Sequence, residues 1–238
     1  MKPGLRMAPE GWPFVLIGTG LTAVLGIVGW GLLPEEAFLR LPLQLAAVVV
    51  GALSVFSVFF FRDPLRIPPG TPGLVLAPAD GLVLRVEEVE EPSVLQGPAT
   101  RISTFLSIFD VHVQRAPTAG TVVHKEYKPG RYLAAWNPKA SEENEQATLG
   151  FSIGVDRFLV RQIAGLVARR VVTDPKEGDR VEQGDRIGLI RFGSRVDLVI
   201  PSHWAVECKR GDRVLGGGTV LARIPALGGD TSQEEKRT

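Results

Sequence analysis

Ala77-Pro78-Ala79-Asp80-Gly81-Leu82-Val83 is echoed further along the chain by Ala116-Pro117-Thr118-Ala119-Gly120-Thr121-Val122, a shared A-P-x-x-G-x-V pattern. A second pair follows the same logic: Gly178-Asp179-Arg180-Val181 with Gly184, and Gly211-Asp212-Arg213-Val214 with Gly217. Gly and Asp make a tight turn in each copy, because glycine takes positive φ freely and an aspartate side chain bonds nearby backbone amides. The apolar residues beside each turn read as strands that pair and close a small sandwich.

Working outward, the chain from Arg62 onward is a series of short apolar stretches broken by Gly and Pro, with little helical periodicity. Val75-Leu76, Leu82 to Val86, Ile102 to Leu106, Thr121 to Val123 and Phe158 to Ile163 read as strands, and Leu166 to Val172 as a further one. Asn137 to Asn144 reads as a polar loop. The expected organisation is a β-rich domain over 63–225 and a polar, disordered tail over 226–238. The paired turns resemble those of the barrel-sandwich folds of biotinyl and lipoyl carrier domains, in which each half supplies a matching hairpin. The resemblance implies a mainly β, barrel-sandwich-hybrid-like domain, and it speaks to fold alone.

Residues 1–62 have a different texture. Trp12 to Leu33 and Leu41 to Phe61 are nearly uncharged apolar runs, each of roughly 20 residues and long enough to cross a bilayer as a helix. Pro34-Glu35-Glu36 separates them, so the expectation is an antiparallel transmembrane hairpin. A cleaved signal peptide fits the first run poorly, given its length, its lack of an A-x-A site and the second run that follows. A buried helical hairpin in a soluble core is the other reading. Lys2 and Arg6 precede the first run, Arg62 and Arg66 follow the second, and only Arg40 lies between. That bias places both ends, and the β-rich domain, on the cytoplasmic side of a cell membrane. Trp12, Trp30 and Phe59-Phe60-Phe61 fall where interfacial aromatic rings are expected. Arg62 and Arg66 would either touch lipid phosphates or serve as anchoring charges.

The balance of 27 Lys and Arg against 26 Asp and Glu argues against nucleic acid as a partner, since a binder normally carries a basic surplus. The single cysteine, Cys208, rules out an internal disulfide framework and is expected to be a half-buried thiol. No pair of histidines has metal-ligand spacing and no Cys cluster occurs, so no metal is expected. His124 and His203 read as structural or surface residues.

Three residues remain as candidates for chemistry. Ile187, Leu189, Ile190 and Phe192 end one strand, Gly193 makes a tight turn, and a second strand runs from Val196 to Ile200. Ser194 then has two readings: it bonds its own backbone in the turn, or it attacks the carbonyl of Gly193. Glycine suits the second reading, because it leaves the approach open and tolerates a strained backbone. Asp80 is either a turn former or an acid–base group. His112 sits in Phe109-Asp110-Val111-His112-Val113-Gln114, where strand alternation would put Asp110, His112 and Gln114 on one face. There it would be an ordinary surface histidine or a base.

Five ordered stretches together resemble the phosphatidylserine decarboxylase proenzyme family, in its shorter branch, from about Phe60 to about Ile224. They are Phe60-Phe61-Arg62-Asp63-Pro64-Leu65-Arg66, Ala77 to Gly81, Phe105-Leu106-Ser107-Ile108-Phe109-Asp110-Val111-His112, Gln162 to Arg170, and Ile190 to Asp197. The resemblance implies a self-cleaving enzyme converting phosphatidylserine to phosphatidylethanolamine, with a pyruvoyl group made from Ser194 as its cofactor. Cleavage would fall between Gly193 and Ser194, with Asp80 and His112 assisting. The large chain and the small one, 194–238, would remain associated, and homo-oligomerisation is open. The chain departs from the longer branch of the family in one respect: a second histidine is expected there three positions after His112, and this chain has Arg115. Two alternatives stand beside this reading: a membrane-anchored carrier or adaptor, and a decarboxylase for another serine-headed lipid. The carrier lacks its usual Met-Lys-Met acceptor, and the adaptor lacks long helical hairpins.

Overall fold

A computed structural model describes residues 6–133, 140–165, 170–191 and 193–225, with backbone alone at 141 and 142. Phe192, Asn137 to Lys139, Leu166 to Arg169 and the tail 226–238 lie outside the described residues. The chain divides into two compact units, one built from the chain up to Leu65 with Ile108–Val113, the other from Arg66–Ser107 and from Gln114 onward.

In the first unit the two apolar runs become helices. A 3-10 turn at Pro9–Gly11 leads into α1 (Trp12–Gly26), which continues as a π-helical turn over Ile27–Leu32. Pro13 sits in the first turn, where its missing N–H costs nothing. Pro34 ends the run by holding Leu33 extended at φ −87° and ψ 136°. The second helix, α2, spans Arg40–Phe60. Both helices are long and apolar enough to cross a membrane, and only 6% of the first span and 17% of the second are buried, so their apolar side chains mostly point outward. Polar groups join them: Ser54 Oγ donates to the Val15 carbonyl, Thr19 and Ser54 hydroxyls meet at 3.1 Å, and the Gln44 amide donates to Gly29 O. Inside hydrocarbon such bonds hold helices together, because nothing else satisfies those groups.

The aromatic cluster at the end of α2 departs from expectation. Phe59 is exposed, but Phe60 and Phe61 are completely buried. Phe61 stacks on Phe14 of α1 at 5.4 Å, and Phe60 packs edge-on against Phe61. These two rings form the core of this unit rather than an interfacial belt.

The second unit is mainly β. Its strands are β1 (Leu74–Leu76), β2 (Gly81–Glu91), β3 (Gly97–Leu106), β4 (Val113–Arg115) and β5 (Gly120–Lys128). A helical turn, α3 (Ala140–Glu143), stands within the stretch read as a loop. Next come β6 (Gln146–Ile153), β7 (Asp156–Ala164), β8 (Val171–Thr173), β9 (Arg180–Val181) and β10 (Arg186–Ile190). The last are β11 (Ser194–Pro201), β12 (Ala205–Val206), β13 (Arg213–Val214) and β14 (Val220–Arg223). Eight strands form one curled sheet in the order β13-β2-β3-β11-β7-β6-β5-β9, and two three-stranded sheets, β1-β14-β12 and β4-β10-β8, complete the unit.

The sequence repeats are structural repeats. Gly81 and Leu82 pair with Val214 and Arg213, and Gly120 and Thr121 pair with Val181 and Arg180 in the same register. Gly217 donates to Ala77 O as Gly184 donates to Ala116 O, and Gly211 to Val83 O as Gly178 to Val122 O. The halves cross-link reciprocally, Leu76 N to Pro117 O and Arg115 N to Pro78 O, both at 2.8 Å. This is a pseudo-two-fold β sandwich with the barrel-sandwich pattern. Val83, Ile102, Leu106, Phe151, Phe158, Val196, Leu198 and Trp204 are among its fully packed residues.

Candidate active site

The junction read from sequence is present. β10 ends at Ile190, Gly193 bends at φ 58°, and β11 starts at Ser194. The two strands are not a hairpin, because β10 belongs to a small sheet and β11 to the middle of the large one. Ser194 opposes Leu106 of β3 on one side and Ala164 of β7 on the other. Alternation along β11 puts its side chain on the face of Val196, Leu198 and Ile200, which are core residues. Ser194 is fully buried, and its Oγ has no hydrogen-bond partner among the described residues. The turn-bonded serine is therefore not what the structure shows. A buried orphan hydroxyl costs roughly 1–3 kcal/mol.

Asp80 is tied down on both oxygens. Oδ2 accepts from Arg66 Nη2 at 2.7 Å, and Oδ1 accepts from the Gly216 amide at 2.8 Å. Arg66 Nη1 also donates to the Gly216 carbonyl at 2.9 Å, closing a ring of three residues. The sister half shows that this ring is not needed for the turn. Its counterpart of Asp80 is Ala119, and its counterpart of Gly216 is Gln183, whose amide bonds Leu74 O and Pro117 O instead. Gly216 has no room for a side chain, since a Cβ would lie 2.9 Å from Ala79 Cα. The pseudo-symmetry thus breaks where a buried carboxylate is placed.

Arg66 is committed to this ring rather than free for a lipid phosphate, with its side chain only 15% exposed and ion-paired to Asp80. Arg62 is likewise committed. Its guanidinium donates to Phe59 O and Phe109 O and lies 3.9 Å from the centre of the Phe59 ring. We expect Arg66→Ala to slow any reaction that uses Asp80 by about 10-fold to 100-fold, the loss of a charge-assisted bond of about 1.5–3 kcal/mol. Arg66→Lys should recover part of it. A single-turnover assay compared with thermal unfolding separates this effect from simple destabilisation.

His112 is not on an alternating strand. Residues Ile108 to Asp110 form a turn after β3, and β4 resumes only at Val113. Val111, His112 and Val113 are all buried and His112 is completely so, which makes it an interior group rather than a surface one. Its ring packs on Phe60 with centroids 4.2 Å apart. Nδ1 lies 3.0 Å from the Asp110 carbonyl, which can only accept, so Nδ1 carries the proton and the basic lone pair is on Nε2. Burial pushes its pKa down to about 4, against the opposing pull of Asp110 and with help from the Arg62 charge. The imidazole is therefore neutral at pH 7, as a base must be.

Asp80 and Ser194 belong to the β unit, while His112 belongs to the segment grouped with the helices. Sequence reading missed the pair Arg195–Asp197. Both are buried on the face of β11 opposite Ser194, with Arg195 Nε 2.9 Å from Asp197 Oδ1 and Nη2 donating to Oδ2 at 3.1 Å. The spacing of two residues on a strand was the available signal, since it puts both charges on one face. His124 and His203 are partly exposed beside Glu126 and Asp156, as expected of structural residues. Burial raises the Cys208 thiol to about 11, which makes it inert at neutral pH.

Residues 53–222 match the family model described as phosphatidylserine decarboxylase. The chain is 46% identical over 220 residues to the phosphatidylserine decarboxylase proenzyme of Symbiobacterium thermophilum, covering 92% of this chain and 96% of that one. It is 49% identical over 181 residues to the proenzyme of Salinibacter ruber, covering 75% and 79%, and 40% identical over 221 residues to that of Geotalea uraniireducens, covering 92% and 97%. With a match of this extent over both the hairpin and the β unit, the chain belongs to the phosphatidylserine decarboxylase family.

Proposed function

We propose that this chain is a self-processing decarboxylase that removes CO₂ from the serine headgroup of phosphatidylserine, with a pyruvoyl group derived from Ser194 as its cofactor. The observation that carries the reading is the buried Oγ of Ser194, without a hydrogen-bond partner among the described residues, directly after a left-handed glycine. The chemistry of that pair fits the cofactor, because a serine hydroxyl next to the carbonyl of a residue without a side chain can make the acyl shift from which a pyruvoyl group is formed. The carrier or adaptor alternative is not favoured, since the relatives bear an enzyme's name across most of both chains.

Processing would begin when Ser194 Oγ adds to the Gly193 carbonyl carbon. The peptide C–N bond breaks, leaving an ester and a free amine on Ser194. His112 Nε2 is assigned to accept the hydroxyl proton, and Asp80, held in place by Arg66, to support the cation so formed. Removal of the Ser194 α-proton then expels the Gly193 carboxylate. Water replaces nitrogen at the resulting unsaturated residue and ammonia leaves, so the new end of the small chain is a pyruvoyl group still joined to Arg195 by its amide bond. Once formed, that group supplies a ketone for the substrate amine and a sink for the electron pair left as CO₂ departs.

The helical hairpin would hold the β unit at the cytoplasmic face of a membrane, where a lipid headgroup is available. The test is the intact mass of protein purified from membranes under denaturing conditions. Two fragments should appear, separating between Gly193 and Ser194, and the smaller should carry the mass of a pyruvoyl cap in place of serine. A single uncut chain overturns the proposal.

A further inference from the structure

The turn that carries His112 is apolar on its outside. Phe109 is 64% exposed and Ile108 39%, whereas Val111, His112 and Val113 are buried. Two large apolar side chains presented at the tip of a turn cost water-exposed surface and contribute little to the core. Their position in the helical unit accounts for them. One guanidinium, that of Arg62, joins Phe109 O at 2.6 Å to Phe59 O at 2.8 Å while lying over the Phe59 ring. The turn is therefore at the level of the last turn of α2. The start of α1 is at the same level, because Ala8 N donates to Phe61 O and Phe14 stacks on Phe61. Trp12, Phe59 and Leu65, all from this end of the unit, are 53%, 43% and 50% exposed. Ile108 and Phe109 thus extend the apolar surface of the hairpin at the depth where aromatic rings and arginine settle in a bilayer.

We propose that the Ile108–Phe109 turn is a membrane-dipping element, seated in the interfacial layer of the lipid bilayer, which sets His112 at headgroup depth. The partner is the bilayer surface, argued from the continuity of these side chains with the hairpin's lipid-facing end. The proposal rests on the reading of the helices as a membrane hairpin and of the chain as a lipid decarboxylase. Its geometry is local. His112 follows Phe109 closely in the chain, and the Asp110 carbonyl between them holds His112 Nδ1.

Two measurements test it. The full chain bearing Cys208→Ser and Phe109→Cys, labelled with an environment-sensitive fluorophore and reconstituted in phosphatidylcholine vesicles, should be quenched by lipids carrying a nitroxide near the headgroup. It should be shielded from aqueous iodide. This readout does not depend on catalysis, so it decides the turn's location even if the chain proves uncut. In the second, Ile108→Ser with Phe109→Ser should still self-cleave and keep activity on a short-chain, water-soluble phosphatidylserine. The same variant should lose roughly 10-fold or more of kcat/KM on phosphatidylserine embedded in vesicles, the effect of two apolar side chains no longer buried in lipid. A label quenched by iodide and not by nitroxide lipid overturns the proposal. So does equal loss on both substrates, which would make the turn a structural support.

Discussion

Ser194→Ala should leave the polypeptide uncut and devoid of decarboxylase activity, a loss of at least roughly 10⁴-fold, because both the nucleophile and the source of the cofactor go together. The substitution removes one oxygen that has no hydrogen-bond partner among the described residues, so little stability should be lost with it. The S194A chain should therefore fold, insert in membranes and unfold at a temperature close to that of an unprocessed wild-type chain. A denaturing gel and intact mass check the first expectation, and calorimetry checks the second. Cleavage persisting after Gly193 in this variant would assign the cut to an outside protease and remove the self-processing account.

His112→Ala should slow processing by about 10²–10⁴-fold, the usual contribution of a positioned base. The pH dependence is the more specific test. Since burial holds the imidazole at about 4, the wild-type cleavage rate should stay flat from neutrality down to about pH 5 and fall only near pH 4. An exposed histidine would lose half its activity near its ordinary value of about 6.5. Stability follows the same group with a definite sign. The unfolded chain takes up a proton below about pH 6.5 while the folded chain does not until about 4, so folding free energy contributed by this residue is intact above about 6.5. It is lost as the pH falls across that window, by on the order of 3 kcal/mol. Acid titration of wild type against His112→Gln, followed by unfolding, measures it.

The parts of the fold legible in sequence are those written in local chemistry. Unbroken apolar runs specify the hairpin, and the paired A-P-x-x-G-x-V and G-D-R-V turns specify the two halves of the sandwich and even their shared register. The Gly193–Ser194 turn between apolar strands was equally local. Residues whose role depends on distant partners were not legible. Arg66 reads as a membrane-flanking charge until Gly216, far along the chain, is seen completing its ring with Asp80. His112 lies in a stretch whose alternation is real in sequence, yet a turn at Ile108 to Asp110 resets the phase and buries it. Phe60 and Phe61 fit an interfacial belt by position, but their burial depends on packing against α1.

The placement of Ser194 at the first position of β11 has a thermodynamic consequence for the finished enzyme. That strand is laddered on both flanks, to β3 from Ser194 through Pro201 and to β7 from Ser194 through Val199. A break at its leading edge, as proposed above, would sever the covalent link and leave the ladders to β3 and β7 to hold the two chains together through a shared sheet. Melting of the cut protein would then obey mass action: dilution should lower its midpoint and leave that of the uncut S194A chain unmoved.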